Sequence, residues 1–333
     1  FVILHRMLFA LGFAIAPASE EVEALATRYL SIRVWGAPAT IALYAVTGWL
    51  IAVERTRAVL VLQLWINGLN VGLDLWFVLG QGWGIEGVAS ASLIAEWSGL
   101  GLGLWLCRPA FAGGQWRDWA RVFDRARVRR MMQVNGDIML RSILLQGAFT
   151  GFIFLSAGKG DVTLAANQVL LQFLEITAYG LDGFAFAAES LVGQAVGARS
   201  VREVRRASIL TSQWGVGGAL VLGVFFWVAG PAIIDLMATD PAVRIEARSY
   251  LAWVAVAPVL GIASWMFDGI FIGATRSREM RNSSAISVVI YAAAVIAFAG
   301  WGNHGLWAAL MVLNVTRAVT LGAVYGRVER AAA

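Results

Sequence analysis

Ten long apolar runs set the limits on what this chain can fold into. An apolar run of about 18 residues or more can cross the hydrocarbon core of a bilayer as a helix. The chain has 333 residues, of which 14% are charged, whereas soluble domains carry about 25%. Short polar or Gly/Pro-containing loops separate the runs, which lie at 1–16, 30–53, 58–80, 84–107, 137–157, 162–193, 207–237, 247–273, 283–300 and 302–326. We therefore predict an all-α integral membrane protein with ten visible transmembrane helices.

Basic residues alternate between two sets of loops. One set holds eighteen Arg, whereas the other holds four Arg and one Lys. Cytoplasmic loops of multi-pass membrane proteins are enriched in Lys and Arg. The pattern therefore predicts that the C-terminus and the segment 108–133 are cytoplasmic. It also accounts for the net charge of +5, so we expect membrane lipid and no nucleic acid as a partner.

An internal repeat relates the two halves of the chain. At an offset of 221 residues Tyr29 falls on Tyr250, and the segment GWGIEG recurs as GWGNHG at an offset of 218. The second half shows six helices and the first shows four, so we expect twelve helices in two parallel six-helix lobes. The offset places about 88 residues before Phe1, so the first lobe lacks about two and a half helices. The predicted domains are a partial N-terminal lobe, a cytoplasmic linker and a C-terminal lobe, at 1–107, 108–133 and 134–333.

The residue types that most enzymes and metal sites need are scarce. The chain has one Cys and two His, and it contains no HExxH, GxSxG or P-loop motif. We therefore expect no enzymatic activity, no cofactor and no structural metal.

A polar stripe on one helix breaks the repeat. Its four members are spaced four, three and four residues apart, which places them on one helical face; they are Gln63, Asn67, Asn70 and Asp74. Their counterparts in the second half lack the acid and both amides; they are Ser284, Val288, Tyr291 and Val295. A buried carboxylate beside an amide can exchange protons, which suggests a functional site. A structural hydrogen-bond cluster between helices is the alternative.

Other intramembrane charges carry separate expectations. Asp268 stands where the first half has Thr47, so we expect it in a cavity or an ion site, with capping of a bent helix as the alternative. Asp137 and Arg141 are four residues apart, and we predict a simple ion pair between them. Arg317, in the last long helix, has no evident partner in the sequence.

Three acids recur every seven residues in one apolar helix. Seven residues advance a helix by about 700°, close to two full turns, so Glu175, Asp182 and Glu189 share one face. Gln168 and Tyr179 fall within the same arc. Ionisable residues inside a membrane face the interior of a helix bundle or a water-filled cavity. This stripe is therefore predicted to line a cavity.

Two segments carry a family resemblance. LLQFLEITAYGLDGFAFAAESLVGQAVGAR and FDGIFIGATRSREMRNS resemble the DinF-like branch of the multidrug and toxic compound extrusion (MATE) transporters, and the similarity covers essentially the whole chain. The resemblance implies a multi-pass secondary exporter of the prokaryotic inner membrane. The visible helices would be the third to the twelfth of the family fold, and the protein would be monomeric.

The resemblance also assigns coupling residues. Asn70 and Asp74 match an Asn–Asp pair on the family's fifth helix that takes part in a proton-linked site, and Ser92 stands where the family usually has Thr. The acid of the family's first helix would precede Phe1. Asp268 matches an Asp that helps to bind a cation in sodium-linked relatives, but the Glu partner of those relatives has no clear match. We therefore expect proton coupling, with Na⁺ near Asp268 as the alternative.

The expected function is cation-coupled antiport by alternating access, with xenobiotic or other small amphiphilic organic molecules as substrates. The residues expected at the substrate cavity or a cation site are Asp268, Asp182, Glu189, Glu175, Gln168 and Tyr179. A lipid-linked precursor flippase of a related two-lobed fold is the alternative. Such a flippase would need a cationic cavity to bind a pyrophosphate, whereas the intramembrane charges here are mainly acidic.

Overall fold

The protein is all-helical in the part of the chain that the structure, a computed structural model, describes: Met7, Phe9, residues 20–112 and residues 117–333. Eight helical stretches in this part are long and apolar enough to cross a membrane, which confirms the all-α membrane class. The run at 1–16 lies outside the described residues. The run at 84–107 forms a helix that is not among the eight, so the total of ten stays a prediction.

The chain divides into two units, Phe1–Val122 and Phe123–Ala333. The described helices of the N-terminal unit are α1 (Glu20–Arg33), α2 (Ala37–Ala52), α3 (Thr56–Asp74), α4 (Gly84–Leu106), α5 (Arg108–Phe111) and α6 (Trp119–Val122). A short 3₁₀ turn, Val34–Gly36, joins α1 to α2. Directly after Asp74, α3 continues as a π-helical segment, Leu75–Gly80. Such wider turns often mark functional positions in helices.

Small residues bring α4 close to its neighbours. One face of α4 repeats a small buried residue every fourth position, at Ala91, Ala95, Gly99 and Gly103. A Cβ atom on Gly99 would collide with Ile66 of α3, and one on Gly103 would lie 2.8 Å from Val46 of α2. Membrane helices associate through such small-residue faces because their backbones can approach closely. The packing fixes the register between α3 and α4.

The C-terminal unit contains six long helices and one short one. They are α7 (Arg125–Ala157), α8 (Asp161–Gly197), α9 (Val201–Met237), α10 (Pro241–Gly273), α11 (Ser277–Ala297), α12 (Gly302–Ala323) and α13 (Gly326–Ala331). Helix α7 begins twelve residues before its apolar run, and the Asp124 side chain accepts a hydrogen bond from the backbone N–H of Arg127 at 2.8 Å. The cap stabilises this polar start of the helix.

Two glycines place α10 directly on the backbone of α8. A Cβ atom on Gly269 would collide with the carbonyl oxygen of Ala185, and one on Gly273 would collide with that of Glu189. The four-residue spacing puts both glycines on one face, where the absence of side chains allows the close approach. Asp268 therefore stands at the level of Ala185 on α8.

A buried amide pair joins α8 to α12 elsewhere in the same unit. The Asn167 and Asn303 side chains donate to each other's Oδ1 atoms, at 2.8 and 3.0 Å. Asn167 also donates to Ser156 Oγ and accepts from Trp307 Nε1. Because these polar groups satisfy one another, their burial costs little free energy. We assign this network a structural role.

Candidate functional site

A polar cluster lies between α3 and α4 of the N-terminal unit. The Asn70 amide donates a hydrogen bond to Ser92 Oγ at 3.2 Å. Asp74 follows one turn later on the same face of α3, and its buried Oδ1 has no hydrogen-bond partner among the described residues. The structure thus brings Asn70 to Ser92 and leaves a carboxylate oxygen of Asp74 available to a proton or another donor.

The other half of the polar stripe is satisfied within its own helix. The Asn67 amide donates to the backbone oxygen of Gln63 at 2.9 Å and to the Gln63 side chain at 3.4 Å. Both residues are exposed. Of the four residues in the stripe, only Asn70 forms a side-chain hydrogen bond to another helix among the described residues.

A cavity of about 490 Å³ lies within the C-terminal unit, bounded by α7, α8, α10 and α12. Phe149, Phe186 and Trp265 contribute aromatic surface to its wall. The charged side chains in the wall are Arg141 of α7, Glu175, Asp182 and Glu189 of α8, Asp268 of α10 and Arg317 of α12. A mainly apolar wall with a few convergent charges is the usual composition of a small-molecule site.

Asp268 is held by two arginines. Arg141 and Arg317 both donate through Nη2 to the same oxygen, Oδ2 of Asp268. Asp268 is 8% exposed and Arg317 only 5%. Charges this deeply buried need partners, because an unpaired ion in an apolar surrounding is costly. The three helices α7, α10 and α12 therefore meet at one ionic cluster, which we call the arginine cluster: Arg141, Asp268 and Arg317.

The acids of α8 face the same cavity without pairing. Glu175, Asp182 and Glu189 all line it, as their seven-residue spacing predicts. None of them forms a hydrogen bond or an ion pair with a residue that the structure describes. Asp182 is close enough to Arg141 and Asp268 to interact with them electrostatically. The cavity thus contains three carboxylates that are free to meet a ligand.

Two residues of the predicted stripe do not reach the cavity. Gln168 and Tyr179 are absent from its wall, and Tyr179 is 76% exposed. Both were expected there from a broad arc of the helix, but the cavity covers a narrower face that the three acids occupy.

The predicted ion pair between Asp137 and Arg141 is wrong. Asp137 instead accepts from Arg281 at 2.6 Å and from Ser277 Oγ at 3.0 Å, both of them on α11. Arg141 is paired instead with Asp268 of α10, which is as deeply buried as Asp137, at 8% exposure. Each of the two residues is thus paired with a residue of another helix, and the predicted pair within α7 does not form.

Sequence reasoning did not name Arg141 and Arg317 as site residues. A signal for them was present, because an arginine inside a membrane span is by default a candidate functional residue with a partner to be found. Arg317 in particular lacked any partner in its own helix. Asp268, an acid in the middle of another span, was the available counter-charge for Arg317.

The surroundings of Asp268 bear on the alternative of a Na⁺ site, which stays a prediction. Two guanidinium groups already bind Oδ2 of this carboxylate and would repel a cation beside them, whereas Oδ1 has no partner in the described chain. In the described part of the chain, no group of three or more His, Cys, Asp or Glu is arranged to hold a metal ion.

Comparison with known sequences identifies several relatives. The family model MatE matches residues 138–297. The DNA damage-inducible protein F of Escherichia coli is 38% identical over 98% of this chain and 71% of its own length. The probable multidrug resistance protein NorM of Pseudomonas aeruginosa is 26% identical over 85% of this chain and 61% of its own length. The chain therefore spans somewhat less than two thirds of the NorM relative.

Solved structures share the fold. A crystal structure of MATE in the bent conformation superposes with a TM-score of 0.84 at 20% identity, covering 99% of this chain and 74% of that one. A MOP superfamily transporter from Pyrococcus furiosus, described as having a binding pocket of reverse polarity, superposes with a TM-score of 0.88 at 18% identity. That match covers 99% of this chain and 75% of that one. At these identities the likeness establishes the fold alone.

Proposed function

Since this chain belongs to the MATE family, in its DinF-like branch, and is a multi-pass protein of the inner membrane, we propose that it exports small amphiphilic organic compounds by secondary active transport. The observation that carries this proposal is the cavity of the C-terminal unit, where aromatic surface surrounds carboxylates without partners. Aromatic faces and free acids suit a ligand that has an apolar body and a cationic group.

Proton antiport is the proposed source of energy. Asp74 supports it, because its buried Oδ1 has no partner in the described chain while Asn70 and Ser92 hold the adjacent face of α3 against α4. Protonation would neutralise the Asp74 carboxylate and change which contacts it favours. A proton can drive alternating access only if it binds the two conformations with different affinity. The wide π-helical segment directly after Asp74 is a place where such a change could be accommodated.

The test of coupling measures proton movement caused by substrate. The full-length protein is reconstituted in proteoliposomes with a pH-sensitive dye, and an organic cation such as ethidium is added. We expect substrate-driven proton flux in the wild type and its loss, by about ten-fold or more, in Asp74→Asn. Asp235→Asn is the matched control, because Asp235 is an exposed acid paired with Arg248. Unchanged proton flux in Asp74→Asn overturns the coupling assignment.

A second candidate function, flipping of a lipid-linked precursor, has one observation in its favour. Arg141 and Arg317 both lie in the cavity wall, where a pyrophosphate would need cationic partners. Against it, both arginines are bound to Asp268, and four carboxylates face two guanidiniums in the wall. Transport of a short-chain lipid pyrophosphate, with no transport of ethidium, would favour the flippase.

The proposal also covers the orientation of the protein in the membrane and its oligomeric state. The enrichment of Arg in alternate loops supports a cytoplasmic C-terminus. We propose that the protein works as a monomer, since each unit contains its own candidate site.

A further inference from the structure

The charges of the C-terminal cavity fall into two groups. The arginine cluster sets two guanidiniums against one carboxylate, so it has an excess of positive charge. The acids of α8 form the second group, without an ion-pair partner among the described residues. A ligand in this cavity therefore meets positive charge where α7, α10 and α12 converge and negative charge along α8.

The arginine cluster has unused hydrogen-bonding capacity. Each guanidinium has five N–H donors, and both Arg141 and Arg317 direct a donor to the same oxygen of Asp268. The Nε atoms of both arginines and Oδ1 of Asp268 are buried and have no partner in the described chain. Buried polar atoms without partners cost free energy, which a suitable ligand recovers. Asp268 is thus the internal anion with which a ligand carboxylate would have to compete for the two arginines.

The packing of α8 on α10 places the acids on both sides of this cluster. Because Gly269 lies against Ala185 and Gly273 lies against Glu189, Asp268 is level with a point between Asp182 and Glu189. These two acids are separated by about 10.5 Å along the axis of α8. A compact ligand can therefore reach the arginine cluster and one of the two acids together.

We propose that this cavity selects zwitterionic amphiphiles, in which a carboxylate binds Arg141 and Arg317 while an amine binds Asp182 or Glu189. The inference rests on the proposed export function and names its substrate class. A purely cationic compound meets two guanidiniums, and a purely anionic one meets the acids of α8. A zwitterion meets opposite charge at both ends, and its apolar body lies on the aromatic wall.

Three probes that share one scaffold distinguish the contribution of the carboxylate to binding from that of the amine. Nα-dansyl-lysine carries a carboxylate and an amine, its methyl ester carries only the amine, and its Nε-acetyl derivative carries only the carboxylate. Binding to the full-length protein in lipid nanodiscs is followed by dansyl fluorescence. We expect the zwitterion to bind about ten-fold more tightly than either analogue. Equal affinity for the zwitterion and the methyl ester overturns the proposal.

Variants assign each charge to its partner. Arg317→Gln is expected to abolish the preference for the zwitterion over the methyl ester, because the carboxylate loses its partner. The double variant Asp182→Asn with Glu189→Gln is expected to abolish the preference for the zwitterion over the Nε-acetyl derivative, because the amine loses its partner. Arg205→Gln is the control, since Arg205 pairs with Glu329 at an exposed site outside the cavity, and it should leave both ratios unchanged. An unchanged ratio between the affinities for the zwitterion and for the methyl ester in Arg317→Gln contradicts the proposal.

Asp268→Asn gives a result that structural damage would not give. Loss of the internal anion frees both arginines, so binding of the Nε-acetyl derivative is expected to strengthen by several-fold. If the variant elutes as a folded protein from a sizing column but binds the Nε-acetyl derivative no more tightly, the inferred competition between Asp268 and the ligand carboxylate is wrong. If this variant does not fold, the Arg317→Gln ratio decides the matter by itself.

Transport of the same probes separates this inference from the function on which it rests. If the methyl ester is bound and exported as well as the zwitterion, the charge selection is wrong and the export function stands. If neither ethidium nor any of the three probes is exported by proteoliposomes with a pH gradient, the export function itself is wrong.

Discussion

Buried charged residues in the C-terminal unit find partners on other helices. Asp137 is paired with Arg281 and Ser277 of α11, although Arg141 is one turn away on its own helix. Arg141 is paired instead with Asp268 of α10. Breaking a buried pair costs about 3–5 kcal/mol, because one charge is left without compensation. For buried residues, this cost outweighs the stabilisation of about 0.2–0.5 kcal/mol that an ion pair within one helix contributes.

Double-mutant cycles test this choice of partners. For Asp137→Ala combined with Arg281→Ala we expect a coupling energy of about 0.5–3 kcal/mol, because the two residues are in contact. For Asp137→Ala combined with Arg141→Ala we expect additivity. The free energies of unfolding are measured by denaturant titration in micelles. Strong coupling of Asp137 to Arg141, with none to Arg281, contradicts the observed pairing.

The sequence predicts which face a charged residue occupies, but not the helix that this face meets. The period of 3.6 residues placed Glu175, Asp182 and Glu189 in one row, and the structure puts all three on the cavity wall. The same reasoning missed Arg141 and Arg317, whose partner is distant in sequence. It also included Tyr179, because helical periodicity does not give the width of the face that a cavity covers.

At the scale of elements, glycines determine how closely α8 and α10 approach. Gly269 and Gly273 are within DGIFIG, a small-residue repeat with a four-residue spacing that is visible in the sequence. Their partner surface, the backbone at Ala185 and Glu189, is not visible there. The close approach brings Asp268 and the acids of α8 to the same cavity. The site therefore depends on residues that carry no functional group.

Gly269→Ala tests this packing. The added methyl group would collide with the Ala185 carbonyl, so we expect a lower melting temperature and a loss of about 1–3 kcal/mol in the free energy of unfolding. Gly217→Ala is the control, because a Cβ atom at this helical position meets nothing within 4 Å. Alanine favours the helix there, so its melting temperature should not fall. A Gly269→Ala protein as stable as the Gly217→Ala control contradicts the close packing.

At the scale of the whole molecule, the two units carry different polar chemistry, although the sequence repeat relates the two halves of the chain. The N-terminal unit has Asn70, Ser92 and a free oxygen of Asp74, whereas the C-terminal unit has the arginine cluster and three free acids. The repeat predicted this asymmetry, because the stripe of α3 is not retained in α11. We propose a matching division of labour, with proton exchange in the first unit and substrate binding in the second.

Uphill export under an imposed gradient tests the central claim most directly. The full-length protein is reconstituted in proteoliposomes, and ethidium transport is followed by fluorescence. Three conditions are compared: a pH gradient alone, a Na⁺ gradient alone, and no gradient. Proton-coupled export predicts that ethidium accumulates against its concentration gradient with the pH gradient alone and is released when a protonophore collapses it. Accumulation that requires Na⁺, or no accumulation of either ethidium or the zwitterionic Nα-dansyl-lysine under any gradient, contradicts the claim.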